Sequence, residues 1–155
     1  MSKIVVGTNS WILLADADEY FSTRIGSENI WNEELDEEKR EASLITSFNV
    51  LLNCGLFTLV ASDTSSNVKN AQCEMALFLL VHGEDIDKRK GLQAQGVVSA
   101  GIVQESYDKD KLYDIPIPNI VRGLLKDSMT QQGIYVAPAK RDDDKEVNEG
   151  ESIVE

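Results

Sequence analysis

The stretch 9–21, "NSWILLADADEYF", sets three carboxylates, Asp16, Asp18 and Glu19, among apolar residues. Carboxylates this close can hold a divalent cation or move a proton. An EF-hand calcium loop needs oxygen ligands at alternating positions, a glycine at the sixth and a glutamate at the twelfth. This window has no such glycine, and hydrophobic residues fill it. The same acids suit the start of a helix, where the dipole favours each of them by roughly 0.3–1 kcal/mol. The helix start is the preferred reading. Leu13 stands where a capping hydroxyl would serve, so Asp16 is expected to satisfy the free N–H groups of the first turn itself.

The other chemistry-bearing residues are scattered. His82, the one histidine, follows "FLLV" at an expected helix end, where the dipole favours a cation. Catalysis by it would need a nucleophile or carboxylate beside it. The chain has neither a G-x-S-x-G turn nor an H-E-x-x-H pair, and "GVVSAG" lacks the lysine and spacing of a phosphate-binding loop. Cys54 and Cys73 have no metal-knuckle or redox spacing and read as reduced structural thiols. The expectation is no catalysis, no metal and no cofactor. Glu33, Glu34, Asp36, Glu37 and Glu38 read as a solvated, acidic helix start, with an acidic rim on a ring or channel as the alternative. Lys88, Arg89 and Lys90 open an expected loop and are candidates to touch phosphate or an acidic partner, against a simply solvated loop.

These residues need elements to position them. The 155 residues fit one domain, and at 42% apolar they can bury a core. Leu14, Ala17, Tyr20 and Phe21 predict a first helix that stops near Gly26. Asp36 is the expected N-cap of a second helix, whose stripe is Leu44, Ile45, Phe48, Leu51 and Leu52 and whose end is marked by Gly55. Trp31 is expected to pack back on the bundle. An extended piece, "LFTLV", and a polar loop lead to a third helix over 67–82. Ser66 or Asn67 caps it, Val68, Ala71, Met75, Phe78, Leu79 and Leu80 are buried, and "HGED" ends it. Val97, Val98, Ile102, Val103 and Tyr107 among Gly, Ser and Gln have strand composition, one or two short strands with a bend near Gly101. Pro118 then opens a fourth helix with Ile120, Val121, Leu124 and Leu125 on its apolar side. Gly123 within it suggests a close neighbour. The fold class is mainly α: a small bundle of about four helices with a short β-strand or hairpin element and an extended C-terminal tail. Residues 1–132 form the helical domain. Residues 133–155 form an acidic tail ordered by a partner, with Ile134, Tyr135, Val136 and Pro138 as its apolar, partner-binding head.

A net charge of −12 repels phosphate and argues against a sequence-independent grip on nucleic acid. Aromatic residues are 6% and do not interleave with basic ones, which disfavours a single-strand stacking platform. No stretch approaches the roughly 20 apolar residues of a membrane span, and the N-terminus has too short an apolar run for a signal peptide. A soluble protein made in a cytoplasm is expected.

"TNSWILLADADEYF" resembles the opening of small phage neck proteins, the head–tail adaptor or connector family. There Asn-Ser, an aromatic and a β-branched residue precede an alanine- and acid-rich helix ending in Tyr-Phe. "EEKREASLITSFNVLL", "NVKNAQCEMALFLL" and, after a β-like stretch, "IPIPNIVRGLL" follow in the family's order, so the resemblance covers most of residues 3–128. Relatives are often labelled putative DnaT-like single-stranded DNA-binding proteins. Three features depart: Leu13 replaces a capping hydroxyl, "GLFTLVASDTSS" replaces an Arg-rich loop with Trp and Pro, and the tail after Gly133 has no counterpart in the family. The resemblance implies a structural protein of the virion neck, assembled in the host cytoplasm. It implies a ring of adjacent adaptor subunits, commonly a homododecamer, bound beneath the portal protein. Genomic DNA would pass through the lumen without sequence-specific binding, and the ring would be a platform for the next neck or tail protein. In such families the C-terminal segment often docks on the portal; in this chain the apolar triplet of an otherwise charged tail makes Ile134, Tyr135 and Val136, with Pro138, the expected anchor. The alternative function is a single-stranded DNA-binding replication protein.

Overall fold

The computed structural model describes residues 2–32, 35–94, 99–100, 105–106 and 116–130. Glu33 and Glu34 of the acidic run lie outside the described residues, as does the tail with Ile134, Tyr135, Val136 and Pro138.

The fold is mainly helical, with four helices among the described residues: α1 (Leu14–Ser22), α2 (Glu37–Asn53), α3 (Ser66–Ala94) and α4 (Asn119–Leu124). A single 3-10 turn, Lys126–Ser128, closes the described body. The helix α3 is the hub, in contact with α1, α2 and α4. Every residue from Ala71 to Leu77 is buried. Val68, Ala71 and Met75 face one apolar cluster, which holds Trp11, Phe48, Leu51, Val121 and Leu125. Cys73, Ala76 and Leu77 face another, with Ile12, Ala17, Phe21, Trp31 and Leu44. Each large side chain so buried contributes about 1.5–3 kcal/mol.

Local signals account for the second helix. Asp36 Oδ1 accepts from the Glu38 N–H at 3.3 Å, and Glu37 and Glu38 occupy the first turn. Gly55, at φ +73°, takes the left-handed position just past the end. Leu44, Phe48 and Leu51 are buried, with Ile45 and Leu52 packed beside them. In α1, Ala17 and Phe21 are buried and Leu14 and Tyr20 half-buried. Trp31 packs on Phe21 at 4.4 Å between ring centroids. "LFTLV" is extended: Phe57 bridges Met129, Thr58 N–H donates to Ser128 O at 2.7 Å, and Thr130 N–H donates to Leu56 O at 2.9 Å.

Six expectations are corrected. No side chain caps α1: Asp16 is exposed, and Leu13, the N-cap residue, makes no capping bond. The helix α3 does not stop at "HGED" but runs to Ala94, through Gly83 and Gly91. Residues 83–94 include no proline, and Glu84/Lys88 and Asp85/Arg89 are set at i,i+4, Glu or Asp first, the favourable order. Lys88, Arg89 and Lys90 are therefore helical, not in a loop. In α4, Val121 and Leu125 are buried, but Ile120 is 49% exposed, because six residues offer α3 only a narrow face. Nothing lies within 4 Å of a Cβ built at Gly123, so no close neighbour explains that glycine. The β element is not supported. The described part of 97–107 holds only Ser99–Ala100 antiparallel to Glu105–Ser106, two residues a side, too short to count as strands of the fold.

Candidate functional site

The three carboxylates of the opening stretch do not converge. Asp16 and Glu19 are exposed. Asp18 turns inward, where its Oδ1 accepts from Trp31 Nε1 at 2.7 Å and Arg40 Nη1 at 2.8 Å. It ties α1 to the loop before α2 and to α2 itself. Among the described residues, no group of three His, Cys, Asp or Glu side chains is placed to hold a metal ion.

The preceding residues of the same stretch form a second tie. Asn9 folds the N-terminal segment on itself, its Oδ1 accepting from Val5 N–H at 2.7 Å and its Nδ2 donating to Lys3 O at 2.9 Å. The Ser10 hydroxyl donates to Ile12 O and accepts from Gln72 Nε2. Trp11 N–H donates to Gln72 Oε1 at 2.9 Å, its Nε1 donates to Val60 O at 2.8 Å, and its ring meets Phe48 at 4.3 Å. Gln72, fully buried, also donates to Leu44 O at 2.8 Å. One amide thus joins the N-terminal segment, α2 and α3 with its oxygen and both of its N–H groups in use.

Two buried glutamates complete the frame. Glu74 receives Arg24 through Nε at 2.6 Å and Nη2 at 2.9 Å, and Tyr20 Oη at 2.7 Å. Burial and the adjoining Glu74 carboxylate push the Tyr20 phenol up. The bond to Glu74 raises the Arg24 guanidinium as well. Glu41 accepts from the Ser2 hydroxyl and from Lys3 N–H, and these two bonds hold its carboxyl below the ordinary glutamate range. Through these bonds Glu74 ties α3 to Tyr20 and Arg24, and Glu41 ties α2 to the N-terminal segment. Sequence reading missed both of them and Gln72. The available signal was a polar pair, Gln72 and Glu74, inside a helix stretch otherwise apolar on every side.

His82 is exposed in the middle of α3, with its ring 4.9 Å from Phe78, not at a helix terminus. Cys73 is buried among apolar groups, which pushes its thiol up, and Cys54 is half-buried. Of the acidic run, Asp36, Glu37 and Glu38 are exposed, with Lys3 Nζ 3.3 Å from Glu38. Lys88 and Arg89 are exposed and Lys90 is half-buried. Lys90 lines a groove of about 400 Å³ between α2 and the distal half of α3, with Lys39, Thr46, Val50, Leu79 and Ile86. A smaller depression, about 250 Å³, lies where His82, Val81 and Ile120 approach Arg24 and Glu74. No described helix is long and apolar enough to cross a membrane.

What these residues define is a rigid helical body with charged and grooved outer surfaces. No family profile, no curated protein and no solved structure matches this chain.

Proposed function

We propose that the chain is a structural phage neck component, a head–tail adaptor that assembles as a ring beneath the portal, extends the DNA channel and presents a platform to the next neck or tail protein. One observation carries the reading: the four stretches that resemble the adaptor family, in that family's order, each overlap one of the four described helices, the third covering the first half of α3. The Asn-Ser-aromatic opening of the resemblance is the stretch that Gln72 ties to α2 and α3. The charge supports it too. A chain of net charge −12 presents little that would neutralise phosphate, so DNA slides past instead of adhering. Exposed Asp36, Glu37 and Glu38 supply an acidic surface of the kind such a lumen or rim needs.

In this reading the portal is held by the tail, through Ile134, Tyr135, Val136 and Pro138, an apolar head in a segment otherwise mostly charged. Removing residues 133–155 abolishes capture of the cognate portal in a pull-down; undiminished capture sinks the tail assignment. A gel shift with single-stranded DNA at moderate salt separates the adaptor from a replication protein. The adaptor leaves the DNA unshifted. Micromolar binding with a steep salt slope would favour the replication protein instead.

A further inference from the structure

The groove between α2 and the distal half of α3 has no part in that reading, and the chain leaves the described body beside it. The α2 wall runs from Lys39 to Val50, about 16 Å at helical rise. The α3 wall brings Leu79, Ile86 and Lys90, so apolar and cationic groups share the cleft. Thr130, the last described residue, donates from its N–H to Leu56 O at 2.9 Å and from its hydroxyl to Gly55 O at 3.2 Å. Gly55 is five residues past Val50, about 7.5 Å along the axis if the helix continued. The exit point therefore lies close to the Val50 end of the groove.

The sequence beyond Thr130 matches in length and in charge. Ile134 is four residues on, a reach of up to about 13 Å when extended, enough to bring it to Val50. From Val136 to Asp142 the extended chain covers up to about 20 Å, enough to follow the α2 wall to Lys39. The order is apolar first (Ile134, Tyr135, Val136) and acidic later (Asp142, Asp143, Asp144). Asp87, the one acid among the described lining residues, has Lys140 and Arg141 of the same segment as counter-charges.

We propose that residues 134–144 seat in this groove of their own chain, with the apolar triplet against Val50 and Leu79 and the aspartates toward Lys39 and Lys90. The seat is independent of the neck role. If the triplet also anchors the portal, the groove holds the tail in the unassembled subunit and the portal must draw it out.

Disulfide trapping in the full chain tests this. In a Cys54→Ser background, Val136→Cys is paired either with Thr46→Cys, inside the groove, or with Asn49→Cys, exposed on the neighbouring turn but outside it. Both sites lie at the same distance from the tail's exit to within one turn, so an unseated tail meets them at similar effective concentration. Under mild oxidation with copper phenanthroline, the Thr46 pair is expected to close about tenfold faster than the Asn49 pair, at a rate independent of protein concentration. Lys39→Glu with Lys90→Glu should slow it severalfold. Equal closure rates would overturn the seat. So would a linked dimer whose yield rises with concentration, which would put a second copy's tail in the groove. Failure of closure at Thr46 alone would also overturn it and would point to another segment as the occupant. None of these outcomes touches portal capture, which the pull-down reads separately.

Discussion

Replacing Gln72 with alanine removes three hydrogen bonds at once and strands Trp11 N–H in a fully buried site, while Leu44 C=O keeps the Ser47 hydroxyl. Each buried group left unpaired costs about 1–3 kcal/mol. Gln72→Ala should therefore lose about 1–3 kcal/mol in urea denaturation, and a loss below about 1 kcal/mol would mean that water replaces the amide. Glu41 makes a pH-dependent counterpart. Its carboxyl is held below the ordinary range by Ser2 and Lys3, so this contact stabilises fully above the unfolded value of about 4.3 and fades as pH falls through the lower, folded value. Wild type should lose more stability than Glu41→Gln as pH drops from about 5 to 3, and parallel pH curves would count against the contact. At this scale the sequence was partly legible. That Asp16, Asp18 and Glu19 belong to a helix was legible from the apolar spacing around them. That Asp18 alone would turn inward was not, because its partners, Trp31 and Arg40, come from elements whose approach no spacing reveals.

At the scale of elements, the second helix was legible because its signals are local: an Asp36 cap, early acids, a clean apolar stripe and Gly55 in the left-handed position. The end of α3 was not. Gly83 after His82 looks like a helix stop, yet its φ is not positive and the helix continues for eleven residues past it, to Ala94. A glycine ends a helix only when the chain turns there, and "EDIDKRK" gives it no reason to turn. Gly83→Ala and Gly91→Ala should each stabilise the fold by up to about 1 kcal/mol, since a Cβ meets nothing within 4 Å at either position. A loss at Gly83 would mean that the helix ends there after all. The relocation also changes what Lys88, Arg89 and Lys90 can do. On one rigid helix they face different directions, and only Lys90 turns to the groove with Lys39. The strand composition of 97–107 shows the limit of reading residue types: β-branched residues announce an extended preference but not a partner to pair with.

At the scale of the molecule, α3 is buried all round over Ala71–Leu77 and packs against the other three described helices and the N-terminal segment, so the described body shares one packed centre. Such a body suits a subunit that must keep its shape while meeting unlike neighbours through different surfaces, as ring assembly requires. The adaptor role itself rests on the resemblance of the four helical stretches and on the charge. The lumen-facing side and the identity of the downstream component were not legible, since both belong to contacts between chains. The proposed role is tested most directly by imaging. Electron microscopy of phage particles carrying a label on this subunit should show the label as a ring at the neck, immediately beneath the portal. A label found elsewhere in the particle, or absent from it, would contradict the proposal.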